Sequence, residues 1–597
     1  MRRLFSVFLA ASLAASQVSG QEISFDAGTD DEALSDLLRS AALTLSLGDE
    51  GEPAAQDYVA AARADYRRLL TALYADGYYS GIISITVNGQ EAATIAPLDA
   101  PRTIDRIAIS VTPGARFAFG ATTISPVPQG TEFSENFQTG EPAKADVIRQ
   151  NVNTAITSWR DAGYAKAATA SQQIVARHDA ERLDVTVAIA PGAQLRFGPL
   201  TVTGNQDVRT DRILAIAGLP TGEVFSPAAL TAAERRLRDS GAFDSVSLVE
   251  AEGTGPGDTL PITAQVTEAL PRRFGFGIEV SSLEGLAVSS FWLHRNYFGG
   301  AERLRVEGAV EGIAGQTGGI DYSLGASLGI PAVYGPETDF LLSATISRED
   351  EPDFLLDQAA VEATLTRLIR EDLEVSGGFG LLTAREVNDA GERDYTLLTA
   401  PLSATLERRD VPTDAKSGYF INIDATPFVS IVGADNGARV FSDARGYYSF
   451  GADDRFTLAA RSQIGSVFGA SLADAPPDFL FFSGGGGTVR GQSYNALGVD
   501  TTIDGEVVRR GGLSFAGAQL EARVDVTDSI GVVGFYDVGF VGNTTNPFDD
   551  GDWHAGAGLG IRYNTGIGPI RLDIGTPTTG DRAGERVEVY IGIGQSF

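Results

Sequence analysis

Cysteine is absent from the chain, which excludes disulfides and thiolate metal sites. Beyond the N-terminus no segment approaches the run of about 18 apolar residues that a spanning helix needs, so none is expected in the body of the protein. Basic residues are few. The 46 Lys and Arg stand against 78 Asp and Glu, giving a formal net charge of −32 and a pI near 4.5. Phosphate binding needs clustered cations to release counterions, so nucleic acid is a poor partner for this chain. Histidine is scarce too: His178, His294 and His554 lie far apart and in no ligand spacing, and the last two fall in segments that read as sheet wall.

Near-matches to catalytic motifs fail one by one. "GGLSFAG" around Ser514 lacks the second glycine of a nucleophile elbow. The glycine run 484–487 lacks the Gly-Lys-Ser/Thr ending of a phosphate loop. "GAGLG" at 556–560 reads as alternating strand glycine, and "NPFDDGDW" at 546–553 reads as an acidic loop rather than a calcium loop. No catalytic residue, metal or cofactor is expected, and the chain reads as a non-enzyme.

What the chain does contain falls into three parts. Arg2 and Arg3 precede the apolar residues 4–15, and Val18-Ser-Gly20 offers small residues before a cut near Gln21; residues 1–20 therefore read as an export signal. Residues 21–270 mix helix and strand patterns and repeat. "GARFAFGATTIS" (114–125) returns as "GAQLRFGPLTVTG" (192–204), aligning Phe119 with Phe197. Three helical patterns end in Gly77, Gly163 and Gly241, where a helix C-terminus favours a left-handed residue, and β-branched runs follow. The spacing gives three α+β units of about 80 residues, at 21–112, 113–191 and 192–270.

From Pro271 onward the rhythm changes to short segments of alternating polarity between Gly, Asp, Asn and Pro turns. In "GVVGFYDVGFV", Tyr536, Val538 and Phe540 lie opposite Phe535, Asp537 and Gly539. In "GPIRLDIGTP", Ile570, Leu572 and Ile574 lie opposite Arg571, Asp573 and Gly575. In "ERVEVYIGIGQSF", Val587, Val589, Ile591 and Ile593, with Phe597 in phase, lie opposite Glu588, Tyr590, Gly592 and Gly594. One continuous apolar face against one of glycine, charge and tyrosine fits a membrane barrel with a polar lumen. At roughly 20 residues per strand and turn, with spanning strands of about 9–11, residues 271–597 supply an antiparallel transmembrane β-barrel of about 16 strands.

This order of parts, with its motifs, resembles the BamA/TamA superfamily of outer-membrane assembly proteins, whose periplasmic α+β repeats are called POTRA domains. The sharpest matches are "TVRGQSYNALG" (488–498), a Val-Arg-Gly-aromatic loop tip, and "FYDVG" (535–539), an aromatic-x-Asp-x-Gly strand. "RNYFGGAERLRVEG" (295–308) and "DVPTDAKSGYFINI" (410–423) resemble the family's early and middle barrel turns. The resemblance spans essentially the mature chain. Three POTRA-like units point to the TamA branch. One departure is Gln492 where the family has Phe or Tyr, the nearest aromatic being Tyr494.

The resemblance implies that the loop 469–512 folds into the lumen. A cation there must be paired, so Arg490, within the motif Val489, Arg490, Gly491 and Gln492, needs an anion. Asp537 is the first candidate and Asp573 the second, both being on lumen-facing phases. The resemblance also implies that the first strand, carrying Phe274, Phe276 and Ile278, meets the last, carrying Val589, Ile591, Ile593 and Phe597, at a weak seam that opens as a lateral gate. The expected function is insertion or secretion of β-rich clients such as autotransporters, without ATP, from the outer membrane of a Gram-negative bacterium. Expected partners are outer-membrane lipids, unfolded clients and a TamB-like protein anchored in the inner membrane. The rival readings are a two-partner-secretion transporter and a passive channel.

Overall fold

The computed structural model describes residues 22–47, 53–96, 99–281, 285–315, 318–351, 353–503, 505–566, 568–580 and 583–597. The expected export signal lies outside the described residues. The chain forms two compact units: Met1–Gly198 with Thr221–Ala229 and Glu252–Leu260, and Pro199–Pro220 with Leu230–Ala251 and Pro261–Phe597.

Before Arg272 the same order of elements occurs three times: a strand, helices, then strands of which the last is central in its sheet. The first repeat has Glu22–Asp26, a long helix Ala55–Ala75, Ile82–Val87 and Arg106–Thr112. The second has Ala118–Ser125, the helix Ala145–Asp161, Ala168–Arg177 and Arg182–Ala190. The third has Arg196–Thr203, helices Thr210–Ala217 and Pro227–Asp239, Phe243–Glu250 and Thr259–Glu268. In the first two repeats the opening strand runs parallel to the closing one, pairing Ile23 with Ile107 and Phe119 with Leu183. Each buries one apolar face: Leu38, Leu73 and Ile109 in the first, Phe119, Ile148 and Val185 in the second. The duplicated opening motif has a structural counterpart. Phe119 and Phe197 are both fully buried, and their N–H groups donate to Glu141 O and Glu223 O, each at 2.8 Å. The edge strand Ala168–Arg177 is exposed along nearly its whole length.

From Arg272 the described residues build one antiparallel sheet of 17 strands in chain order. Two of these, Gly391–Thr399 and Leu402–Glu407, share both neighbours, Leu373–Asn388 and Gly418–Val432. Pro401 separates them because it cannot donate to the ladder. The sheet has its polarity reversed relative to the repeats. Val361, Leu381 and Leu398 stand in one cross-strand row and are exposed on the outer face. Glu386, Gln519, Glu521, Asp537, Arg562 and Asp573 are buried on the inner face.

Residues 469–513 leave the sheet between Phe456–Phe468 and Ser514–Asp525, strands that pair directly with each other. The segment carries a hairpin, Val499–Ile503 with Glu506–Arg510, and lies against the inner face. Phe479 packs on Phe428 and Phe481 on Phe515. It contacts strands from the middle of the sheet and strands near its end, so the sheet curls around it.

The first and last strands, Arg272–Ser281 and Glu588–Ile593, lie at opposite ends of the hydrogen-bonded order; among the described residues no ladder joins them. The expected final strand 585–597 is shorter, and its last residue is misplaced by the alternation. Gly594, at φ +89°, donates its N–H to Pro569 O at 2.7 Å and turns the chain inward. Phe597 is consequently buried with Ala415, Tyr447 and Ala459, beneath the Arg523 guanidinium, and not in the outward row with Val589 and Ile591.

Candidate functional site

The loop tip is built to touch the wall. The Gly491 backbone, at φ +92°, lies so close to Thr576 that a Cβ would sit 2.6 Å from its carbonyl carbon. On the wall, a Cβ at Gly556 would sit 1.9 Å from Arg490 O. The "GAGLG" strand therefore provides a recess for the loop backbone, which is why side chains are missing on both sides.

Arg490 fills the centre of this contact and is 1% exposed. Its Nε and Nη2 donate to Asp537 Oδ2 and Oδ1 at 2.7 and 2.9 Å, and its backbone N–H reaches Oδ2 at 3.0 Å. Nη1 donates to Glu521 Oε1 at 2.6 Å and to Asp573 Oδ2 at 3.4 Å. The guanidinium also lies 3.7 Å from the Phe535 ring centroid. Burial disfavours the cation, but the hydrogen bonds to Asp537 and the charges of Glu521 and Asp537 outweigh it and hold the pKa above the ordinary arginine value. The bidentate fork fixes orientation as well as charge.

Asp537 is thus the main partner. Asp573 is shared with Arg562, whose Nη1 donates to Oδ1 at 2.5 Å. Glu521 likewise pairs with Arg523 at 2.8 Å and accepts from Ser596. Val489 is fully buried. Gln492, standing where an aromatic is expected, donates to Ala555 O at 2.9 Å. The aromatic face beside Arg490 comes from Phe535, while Tyr494 is half exposed. The Gly491 N–H donates to the Tyr590 hydroxyl at 3.0 Å, tying the tip to the last strand.

Two features were not identified from the sequence. Glu521 lies on the lumen-facing phase of its strand, a signal that was available but carries no motif. The second feature is another buried arginine at the far end of the loop. Arg510 donates through Nη2 to Glu386 Oε2 at 3.2 Å and Ala475 O at 3.0 Å. Its Nη1 donates to Leu472 O and Ala473 O at 3.0 and 2.8 Å. Tyr395 donates to the same Glu386 oxygen. In the part of the loop before Arg490, Arg461 holds Gly487 O at 3.1 Å, and the Arg439 guanidinium stacks on Phe481. His554, expected as a wall residue, meets the loop hydroxyl of Ser483 at 2.7 Å. The loop is therefore fixed to two separate stretches of the inner wall.

At the edges of the sheet, Phe274, Phe276 and Ile278 are exposed on the first strand, and Val589 and Ile591 on the last. The Ile593 side chain lies outside the described residues. Phe597 is on the inner side.

The family model described as the Omp85 superfamily domain matches residues 296–597, which include the lumenal loop and both of its anchors. The chain belongs to the Omp85 superfamily. A POTRA model, described as surface antigen variable number repeat, matches residues 195–269, the third repeat. This Omp85 chain is 23% identical over 461 residues to the outer membrane protein assembly factor BamA of Nitratidesulfovibrio vulgaris, covering 74% of this chain and 56% of that one. It is 21% identical over 519 residues to BamA of Neorickettsia risticii, covering 81% and 66%. The chain therefore spans less than two thirds of the length of either relative. The crystal structure of BamA from Haemophilus ducreyi lacking POTRA domains 1–3 superposes with a TM-score of 0.61 at 15% identity, covering 79% of this chain and 99% of that one. The sheet has the BamA-like barrel fold. It resides in the outer membrane, with its POTRA repeat on the periplasmic side.

Proposed function

We propose that this Omp85 protein inserts or secretes β-rich clients by opening sideways between its first and last strands, without ATP and without catalysing a covalent reaction. One observation carries the reading: the lumen is occupied by an anchored loop, while among the described residues no ladder joins the first and last strands, which expose apolar side chains. A pore-based route must first displace the loop. An unpaired strand edge is costly in lipid, yet it is a template for an incoming strand. Phe274, Phe276 and Ile278 on one side and Val589 and Ile591 on the other would line such a gate.

Finer assignments belong to the same reading. The two segments flanking Pro401 count as one crossing, which gives a barrel of sixteen crossings out of 17 strands. All three β–α–β–β repeats are taken as POTRA units, at 21–112, 113–191 and 192–270, and this number supports the TamA branch with autotransporter-type clients and a TamB-like partner. The exposed edge Ala168–Arg177 is a candidate first dock, by strand addition, for an unfolded client. The test is reconstitution in liposomes with an unfolded small β-barrel client. Acceleration of client insertion over empty liposomes is expected. No acceleration, with solute passing through the pore instead, would favour a channel or a dedicated secretion pore.

A further inference from the structure

The outer face of the barrel holds a feature that the assembly reading does not use. One cross-strand row runs Val288, Val310, Tyr322, Arg348, Asp357, Arg385 and Asp394 over seven neighbouring strands. All seven share the outward phase of Leu324, Ile346 and Val361. Along this single row the chemistry changes from apolar to phenol to alternating charge. The charged part lies near the extracellular ends of its strands. The strand Thr338–Glu351 starts beside Glu337, which Arg236 of the third repeat binds at 3.0 Å on the periplasmic side, and Arg348 is near its other end.

Immediately below the row is an outward cavity of about 560 Å³. Ser290 and Gly308 form its floor and Leu324 and Ile346 its flank, while Tyr322 and Arg348 lie along one rim. The Arg348 fork is already oriented: Nε and Nη2 donate to Asp357 Oδ1 and Oδ2 at 2.5 and 2.6 Å. Among the described residues Arg348 Nη1 and the Tyr322 hydroxyl meet no hydrogen-bond acceptor. Arg385 makes the same kind of fork with Asp394, at 2.8 and 3.4 Å, but does not line the cavity.

We propose that this cavity binds one phosphorylated acyl glycolipid of the outer leaflet. An acyl chain lies over Ser290 and Gly308 beside Leu324 and Ile346, and a phosphate is held by Arg348 Nη1 and the Tyr322 hydroxyl. A planar guanidinium fixed on one side by a carboxylate presents its free N–H groups to phosphate with little rotamer freedom left to lose. The position at the extracellular end commits the site to that leaflet, and the apolar trough commits it to a lipid rather than a free phosphate.

Bracing of the strands is the other use of such a ladder, and Arg385 is the control for it. The full chain is placed in nanodiscs of phosphatidylethanolamine with a minor fraction of a diphosphorylated glucosamine acyl lipid. The lipid retained after detergent exchange is then counted by native mass spectrometry. Arg348→Gln removes a charge-assisted bond, and Gly308→Leu fills the floor. Each is expected to lower retention about tenfold, with Arg385→Gln close to wild type. Heat-modifiable migration on gels confirms that each variant is folded. The proposal fails if Arg348→Gln retains lipid like wild type, or if Arg385→Gln loses as much. It also fails if phosphatidylglycerol is retained as well as the glycolipid.

Discussion

Arg490 at the tip and Arg510 at the base of one lumenal loop are both almost fully buried, but they are held by opposite means. Arg490 faces three carboxylates, from the strands Ser514–Asp525, Ile530–Gly542 and Ile570–Pro577. Arg510 meets one carboxylate, Glu386, the Tyr395 hydroxyl and three carbonyls of its own loop. The first anchor is a charge junction among strands near the seam. The second closes the base of the loop on itself and attaches it to the middle of the wall. A buried charge left without its partner costs far more than a lost neutral hydrogen bond, so the tip and the base of the loop are unequal in what their removal should do.

The largest effect is expected for Arg490→Ala. It leaves Asp537 without its bidentate partner and Glu521 with Arg523 and the Ser596 hydroxyl, for about 3–5 kcal/mol of local destabilisation. The tip should leave the wall, raising single-channel conductance in planar bilayers and impairing client insertion. Arg510→Ala should cost less, about 1–3 kcal/mol, because Glu386 keeps Tyr395 and Asn388 as donors. Its expected signature is brief, flickering conductance with insertion largely retained. Equal effects of the two variants would erase the distinction between the anchors. Tyr590→Phe is the mildest change, about 0.5–1.5 kcal/mol, since it removes one hydroxyl acceptor for Gly491 N–H. Faster amide exchange at Gly491, with unchanged exchange in the repeats, is the outcome to look for.

Much of this arrangement was legible in the sequence, and the failures have physical reasons. The alternation around Tyr536 and Asp537 appears as the strand Ile530–Gly542, with Tyr536 half exposed and Asp537 fully buried. Alternation works there because every second side chain must choose between lipid and lumen. It misled at Phe597. Between Gly592 and Gly594 too few side chains remain to hold the phase, and the Gly594 turn redirects the chain toward Arg523. Arg490 was marked by a local motif. Arg510 carried no such mark, because Glu386 lies 124 residues away and its other acceptors are carbonyls, which every residue has. Glu521 was accessible to phase reasoning, but only register shows that it faces the same guanidinium as Asp537.

On this reading the wall opens between its first and last strands, which no ladder joins among the described residues. Cysteine pairs placed between Arg272–Ser281 and Glu588–Ile593, in a chain with no native cysteine, allow a direct test. Pairs that oxidise quantitatively lock the seam, and client insertion is then timed in liposomes before and after reduction. If the seam is the gate, the lock abolishes acceleration and reduction restores it. Undiminished insertion through a locked seam would contradict the reading.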